Sequence, residues 1–339
     1  MQNKSRRDFL KKSLLGISGA ALMPGMLKAS DSANHAIPRV PELPTRVLGR
    51  TGIKSPLISM GSGGSTSSNF VRAAYDAGIK LFFSATYYGE GKNEQIVGEG
   101  LKGLSRDSFV ISTAVPMDGF DGRAGVFTKE FNPDEYIKKA EGSLKRFGLD
   151  YVDIFMVPGI CKPEHMLYEP MLNALLKLKK QGKTKFLGVA THDVCHDGLK
   201  TAADAKIFDT FMIAYNYKVE DTEGLNAAVK YATDAGIGII AMKTTAGAFR
   251  DKNSTSPLNT DAALKWVLQN ENISTIVSGM STIDEMQKNH DSAVAEMQAK
   301  EQALLDKEQA LTSTISALET KLEGLKKQAQ KFAAAFAPE

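Results

Sequence analysis

The chain has 339 residues, of which 24% are charged and 42% hydrophobic, with 29 Gly and 12 Pro. This ordinary globular composition excludes a disordered, collagen-like or polytopic membrane chain. The formal charge of +3 comes from residues 1–29, which hold +5 and leave −2 on the remainder, so the body offers no electrostatic footprint for nucleic acid.

At the start, Ser5-Arg6-Arg7-Asp8-Phe9-Leu10-Lys11 sets paired arginines before a weakly apolar run from Leu14 to Met26. Ala29-Ser30 offers a small residue for cleavage, although Leu27 is a poor match for the small residue wanted two positions earlier. Residues 1–29 resemble a twin-arginine signal, which carries folded bacterial proteins across the inner membrane, and this predicts a periplasmic protein. The run is too short and glycine-interrupted to span a bilayer, so no membrane span is expected once it is removed. A basic amphipathic start on a cytosolic chain is the alternative. Residues 30–44 read as a loose polar linker.

Between 45 and 289, short apolar runs alternate with helical spacing. Leu57 to Met60 precedes a Gly/Ser-rich turn and a helical stretch from Asn69 to Ala77. Seven more strand candidates follow: Ile79–Phe83, Phe109–Thr113, Val152–Val157, Lys185–Val189, Phe208–Ile213, Ile237–Ala241 and Ser274–Val277. Helices are predicted near 93–103, 133–147, 165–181, 195–205, 222–235 and 259–269. Eight βα units in about 245 residues are the size of one (β/α)8 TIM barrel. An open doubly wound sheet is the alternative, but Gly61-Ser62-Gly63-Gly64 is only a glycine turn and no G-x-G-x-x-G opens the first helix.

Several segments resemble the aldo-keto reductase family: Leu48-Gly49-Arg50-Thr51-Gly52 as its opening hairpin, Ala77 to Gly89 with Asn93-Glu94, and Ser143 to Gly148 followed by Asp150 to Ile154. Gly236–Thr245 and Gly279–Asn289 are similar to the segments that hold its cofactor. The resemblance implies carbonyl reduction with a hydride from NADPH, a tyrosine as proton donor, a lysine and an aspartate that tune it, and a histidine that orients the carbonyl. Position by position only the tyrosine survives, as Tyr88; the aspartate falls on Phe83, the lysine on Ala114 and the histidine on Pro158. An unaided phenol, with a pKa of ~10, is a weak acid toward a developing alkoxide at neutral pH. On the cofactor side the resemblance points to Thr191 or His192 for the nicotinamide amide, Lys243 for the pyrophosphate, and Ser281 and Asn289 for the adenosine. Met242 replaces the stacking aromatic, and Gln287 replaces the arginine near the 2′-phosphate, which leaves NADP or NAD open.

His192, Cys195 and His196 are competent transition-metal ligands, but the expected reading is a polar loop capped by Asp193, with no metal. Cys161 and Cys195 follow adjacent strands on one face, and a disulfide would need their Cα atoms within ~7 Å. Two unpaired thiols are the expectation.

After Asn289 the composition shifts to Ala, Gln, Glu and Lys. Leu304, Leu311, Leu318 and Leu325 recur every seven residues with Phe332 next, and four positions on stand Glu308, Ile315, Leu322, Ala329 and Phe336. Residues 290–339 are predicted as an amphipathic helical extension packed on the barrel, with self-association through 304–336 as the rival. Two function classes follow. The expected one is an exported nicotinamide-dependent oxidoreductase with weak or non-standard carbonyl or alcohol chemistry on an unidentified small molecule. The other is an inactive barrel that binds a ligand or acts as a scaffold.

Overall fold

The computed structural model describes residues 42–335 except 66, 122–123 and 247–258. The leader (1–29), the linker through residue 41 and Phe336 lie outside the described residues.

Eight parallel strands close into one barrel: β1 (Ile58–Gly61), β2 (Leu81–Ala85), β3 (Val110–Ala114), β4 (Val152–Pro158), β5 (Thr184–Thr191), β6 (Thr210–Ala214), β7 (Gly238–Met242) and β8 (Ile273–Gly279). The helices between and after them are α1 (Ser68–Asp76), α2 (Lys92–Leu101), α3 (Pro133–Phe147), α4 (Glu169–Lys180), α5 (His196–Ala205), α6 (Thr222–Asp234), α7 (Thr260–Gln269) and α8 (Ile283–Ala335). Period-two alternation along the strands divides the apolar side chains between two cores. Leu81, Phe83, Ala114, Ile154, Met156, Met212, Ile240 and Met242 fill the barrel, while the opposite faces, such as Phe82, Ile111, Phe155, Phe211 and Ile239, pack beneath the helices. All eight strand candidates and the TIM barrel are therefore present.

An antiparallel hairpin, Thr45–Val47 with Lys54–Pro56, precedes β1 and closes the N-terminal end of the barrel. Arg46 donates to the carbonyls of Leu268, Asn270 and Ile273, and Arg50 donates to that of Phe208. At Gly49 (φ 51°) a Cβ would lie 2.3 Å from the Gly238 nitrogen, so only glycine lets the plug seat this deeply.

The tail departs from expectation. The composition change at Asn289 coincides with no break, because α8 is one helix of 53 residues. Its first turns are docked, with Met286, Asn289, Ser292 and Ala293 buried and Lys300 donating to the Leu268 carbonyl. From 301 to 331 every residue is exposed, so the extension is not packed on the barrel. A helix of this length spans about 80 Å, far beyond its neighbours, and a seam of period seven turns away from any straight surface by ~20° per heptad.

Candidate functional site

The open end of the barrel is the C-terminal end of its strands. There Phe83, Ala190, Ala214, Met242 and Val277 are 4–9% exposed, whereas Leu81, Ile154, Met156, Met212 and Ile240 one layer below are at 0%. The first five are thus the floor of the mouth, with half-buried Pro158 beside Ala190 on the adjacent strand. None of these side chains ionises or hydrogen-bonds. Phe83 and Ala114 are buried wall residues, so these two positions form dry surface.

Tyr88 stands on the rim in the turn after β2. Its ring meets Phe83 edge-on at 6.2 Å and Tyr87 at 5.1 Å. A Cβ at Gly63 would fall 3.0–3.3 Å from three atoms of that ring, so the glycine turn after β1 is what lets the phenol lie there. Burial pushes the Tyr88 hydroxyl above its ordinary pKa, and no cation among the described residues opposes this. The phenol is therefore a reluctant acid, the reverse of what a neighbouring ammonium would make it.

Two polar hubs hold this rim. Buried Asn93, at the start of α2, accepts from Ser62 Oγ at 2.5 Å and Ser84 Oγ at 2.7 Å, and donates to the carbonyls of Ser62 and Ser65. It thereby ties the ends of β1 and β2 to the helix that follows Tyr88. Next to it, fully buried Glu94 accepts from Thr113 Oγ1 and from Arg146 Nε, both at 2.6 Å, and fixes α2 between β3 and α3.

The cofactor-side residues take different places. Thr191 is buried at the end of β5, and its Oγ1 accepts from the Asp193 amide, so it serves its own loop. His192 is exposed at the rim. Lys243 is exposed at the end of β7 with φ 55°, a left-handed conformation uncommon for a non-glycine residue. Ser281 donates both its amide and its hydroxyl to Glu285 Oε2, at 2.8 and 2.9 Å, and the Thr282 amide joins them at 3.2 Å. These donors hold the Glu285 carboxyl below its usual range. Asn289 is buried and donates to Ser278 Oγ at 3.1 Å. It borders a cleft of about 760 Å³ that Thr260, Asp261, Lys288 and Asp291 also line.

The cysteine expectation is overturned. Cys161 and Cys195 form a disulfide, with Cα atoms 5.6 Å apart. The Gly159 amide bonds to the Ala190 carbonyl at 2.8 Å, which draws the loops after β4 and β5 together and brings both thiols to one place. Cys195 is thereby removed from any set of metal ligands. Asp193 does not cap α5 either: the residue at the cap is Cys195, whose side chain makes no capping bond to the first turn.

With this geometry in place, the chain can be set beside known proteins. The sequence profile described as the aldo/keto reductase family matches residues 64–262. This chain belongs to that family. L-Galactose dehydrogenase of Arabidopsis thaliana is 27% identical over 322 residues, covering 83% of this chain and 95% of the relative. Among solved structures, the holo form of aldo-keto reductase AKR11C1 from Bacillus halodurans superposes with a TM-score of 0.60 at 21% identity, over 74% of this chain and 91% of that one. An aldo/keto reductase from Klebsiella pneumoniae in complex with NADP and acetate gives 0.56 at 20% identity, over 74% of this chain and 90% of the other.

Within this aldo-keto reductase barrel, sequence reasoning missed three features: the Asn93 hub, the disulfide and the Glu285 cap. Two had a signal. Thr282-Ile283-Asp284-Glu285 is a capping-box sequence, and Asn93-Glu94 opens a helix directly after the tyrosine. The two cysteines had only their placement after adjacent strands on one face, which does not fix the distance between them.

Proposed function

We propose that the protein is an exported oxidoreductase of the aldo-keto reductase type that binds a nicotinamide dinucleotide across the C-terminal mouth and acts weakly on an apolar carbonyl or alcohol. The observation that carries this reading is Tyr88: a half-buried phenol on the rim of a wholly apolar floor, with no hydrogen-bond partner for its hydroxyl among the described residues. A bound dinucleotide would supply the hydride. The chain's own part is to exclude water with Phe83, Met242 and Val277 and to hold a proton at Tyr88 Oη. Because burial keeps that proton on, the transfer is slow rather than absent.

The donors at the mouth fit part of a dinucleotide. Lys243 offers an ammonium to a pyrophosphate, and Asn289 lies beside the cleft at the start of α8. The anion-binding donors of Ser281 and Thr282 are already taken by Glu285. A dinucleotide without a 2′-phosphate suits this arrangement, so NAD is favoured over NADP. Export rests on residues 1–29 and gains support from the Cys161–Cys195 bond, since disulfides persist in oxidising compartments.

The test is a titration of the chain from Ser30, freed of co-purified nucleotide, with NADH and NADPH, followed by nicotinamide fluorescence and calorimetry. Micromolar binding with NADH about tenfold the tighter is expected, since one extra carboxylate–phosphate repulsion near the surface is worth ~1 kcal/mol or more. The same assay on Glu285→Gln should narrow the gap. Absence of binding at millimolar cofactor overturns the reading. A second reading, a ligand-binding barrel without turnover, is favoured by the apolar floor and would then stand.

A further inference from the structure

We propose that the exposed half of α8 is an antiparallel coiled-coil arm that joins two copies of this chain. Leu304, Leu311, Ile315, Leu318, Leu322 and Leu325 are 49–66% exposed. Six large aliphatic side chains at heptad spacing on one face of a helix that touches nothing else are a seam without its partner. Buried against a second seam they would remove on the order of 1,100 Å² from water in total, the scale of a specific interface. The exposed stretch, 301–331, is about 46 Å long and holds four successive heptad leucines, enough to sustain pairing.

Charge selects the partner and its direction. With leucines 304, 311, 318 and 325 at the d positions, Glu308, Ile315, Leu322 and Ala329 take the a positions, and Lys321 and Lys326 flank them at g and e. In a parallel pair of identical chains Glu308 would face Glu308 in the seam, and Lys321 would face Lys326. Reversing one copy removes both clashes. With Ile315 opposite Leu318 of the second copy, Leu311 meets Leu322 and Glu308 meets Leu325, beside Lys326. Glu301, Asp306, Lys307 and Glu308 give residues 301–314 a charge of −2, whereas Glu319, Lys321, Glu323, Lys326, Lys327 and Lys331 give 315–331 a charge of +2. Antiparallel pairing sets these opposite halves against each other. Its two-fold axis falls between Ile315 and Leu318, at the middle of the exposed stretch, so residue 302 of one copy lies level with residue 331 of the other and the exposed stretches overlap along almost their whole length. Gly324 occupies a c position on the outer side, where it costs helix propensity but no contact.

Sedimentation equilibrium of the chain from Ser30 should give the mass of two chains. Leu318→Asp should weaken the dimer by about a hundredfold or more, while leaving the barrel's melting temperature unchanged, because residue 318 touches no other element. Glu308→Lys should weaken it by about tenfold, and Glu308→Lys with Lys326→Glu should restore it. The proposal is overturned by a one-chain mass at high micromolar concentration, by a three- or four-chain mass, by a dimer that survives Leu318→Asp, or by a charge swap that does not rescue. Flotation of a monomeric chain with anionic phospholipid vesicles would also overturn it, by assigning the seam to a membrane surface.

Discussion

Replacing both members of the disulfide, Cys161→Ala with Cys195→Ala, removes the covalent link between the loops after β4 and β5 without leaving a reactive thiol. The bond closes a segment with a sequence separation of 34. Restricting the unfolded chain by a loop of that length is worth about 4 kcal/mol at 25 °C. Loss of contacts in the folded state adds little, since alanine keeps the Cβ of each residue and Cys195, which abuts Gly198, is replaced by a smaller group. In a barrel of this size a loss of 4 kcal/mol lowers the melting temperature by roughly 8–16 °C. Urea unfolding followed through the sole tryptophan, Trp266, reads the change directly. The untreated chain should have the highest midpoint, the double variant a lower one, and reductant should move only the former. Nicotinamide affinity should fall as well, because the two tethered loops stand on the mouth beside Pro158 and Thr191. Two free thiols per denatured, unreduced chain, or equal midpoints for the two proteins, would refute the reasoning.

Glu94→Ala strands the partly buried Arg146 guanidinium and the Thr113 hydroxyl, and denaturant titration should show a loss of about 3 kcal/mol, the lower end for a broken buried pair because Arg146 keeps some solvent. Burial raises the pKa of Tyr88, Tyr136 and Tyr215 in the folded chain, so the native state holds these protons more tightly than the unfolded one. Stability is then fully present below about pH 10 and lost as pH rises through the raised values. Urea midpoints should hold level from about pH 8 to about pH 10 and fall above it, and Tyr136→Phe, which removes a buried hydroxyl with no partner, should flatten that fall and raise the stability at neutral pH by about 1 kcal/mol.

The barrel was legible because its signals are local and repeated. Runs such as Val152–Val157, between the 133–147 and 165–181 helical patterns, carry their periods in a few consecutive residues, and eight repetitions leave one closed architecture. That Phe83, Ala114 and Pro158 lie toward the C-terminal ends of their strands, with Tyr88 in the turn that follows the first of them, was legible for the same reason, since the neighbouring residues define each register.

What lay beyond the sequence depended on distances between remote segments. That Cys161 and Cys195 come within bonding reach, that Asn93 gathers Ser62 and Ser84, and that Glu94 draws in Thr113 and Arg146 follow from how loops cross the barrel rim. The heptads announced a seam but not what would cover it. Only the tertiary structure decided that the barrel does not, because its contacts with α8 end near Lys300 while every residue of α8 from 301 to 331 is exposed.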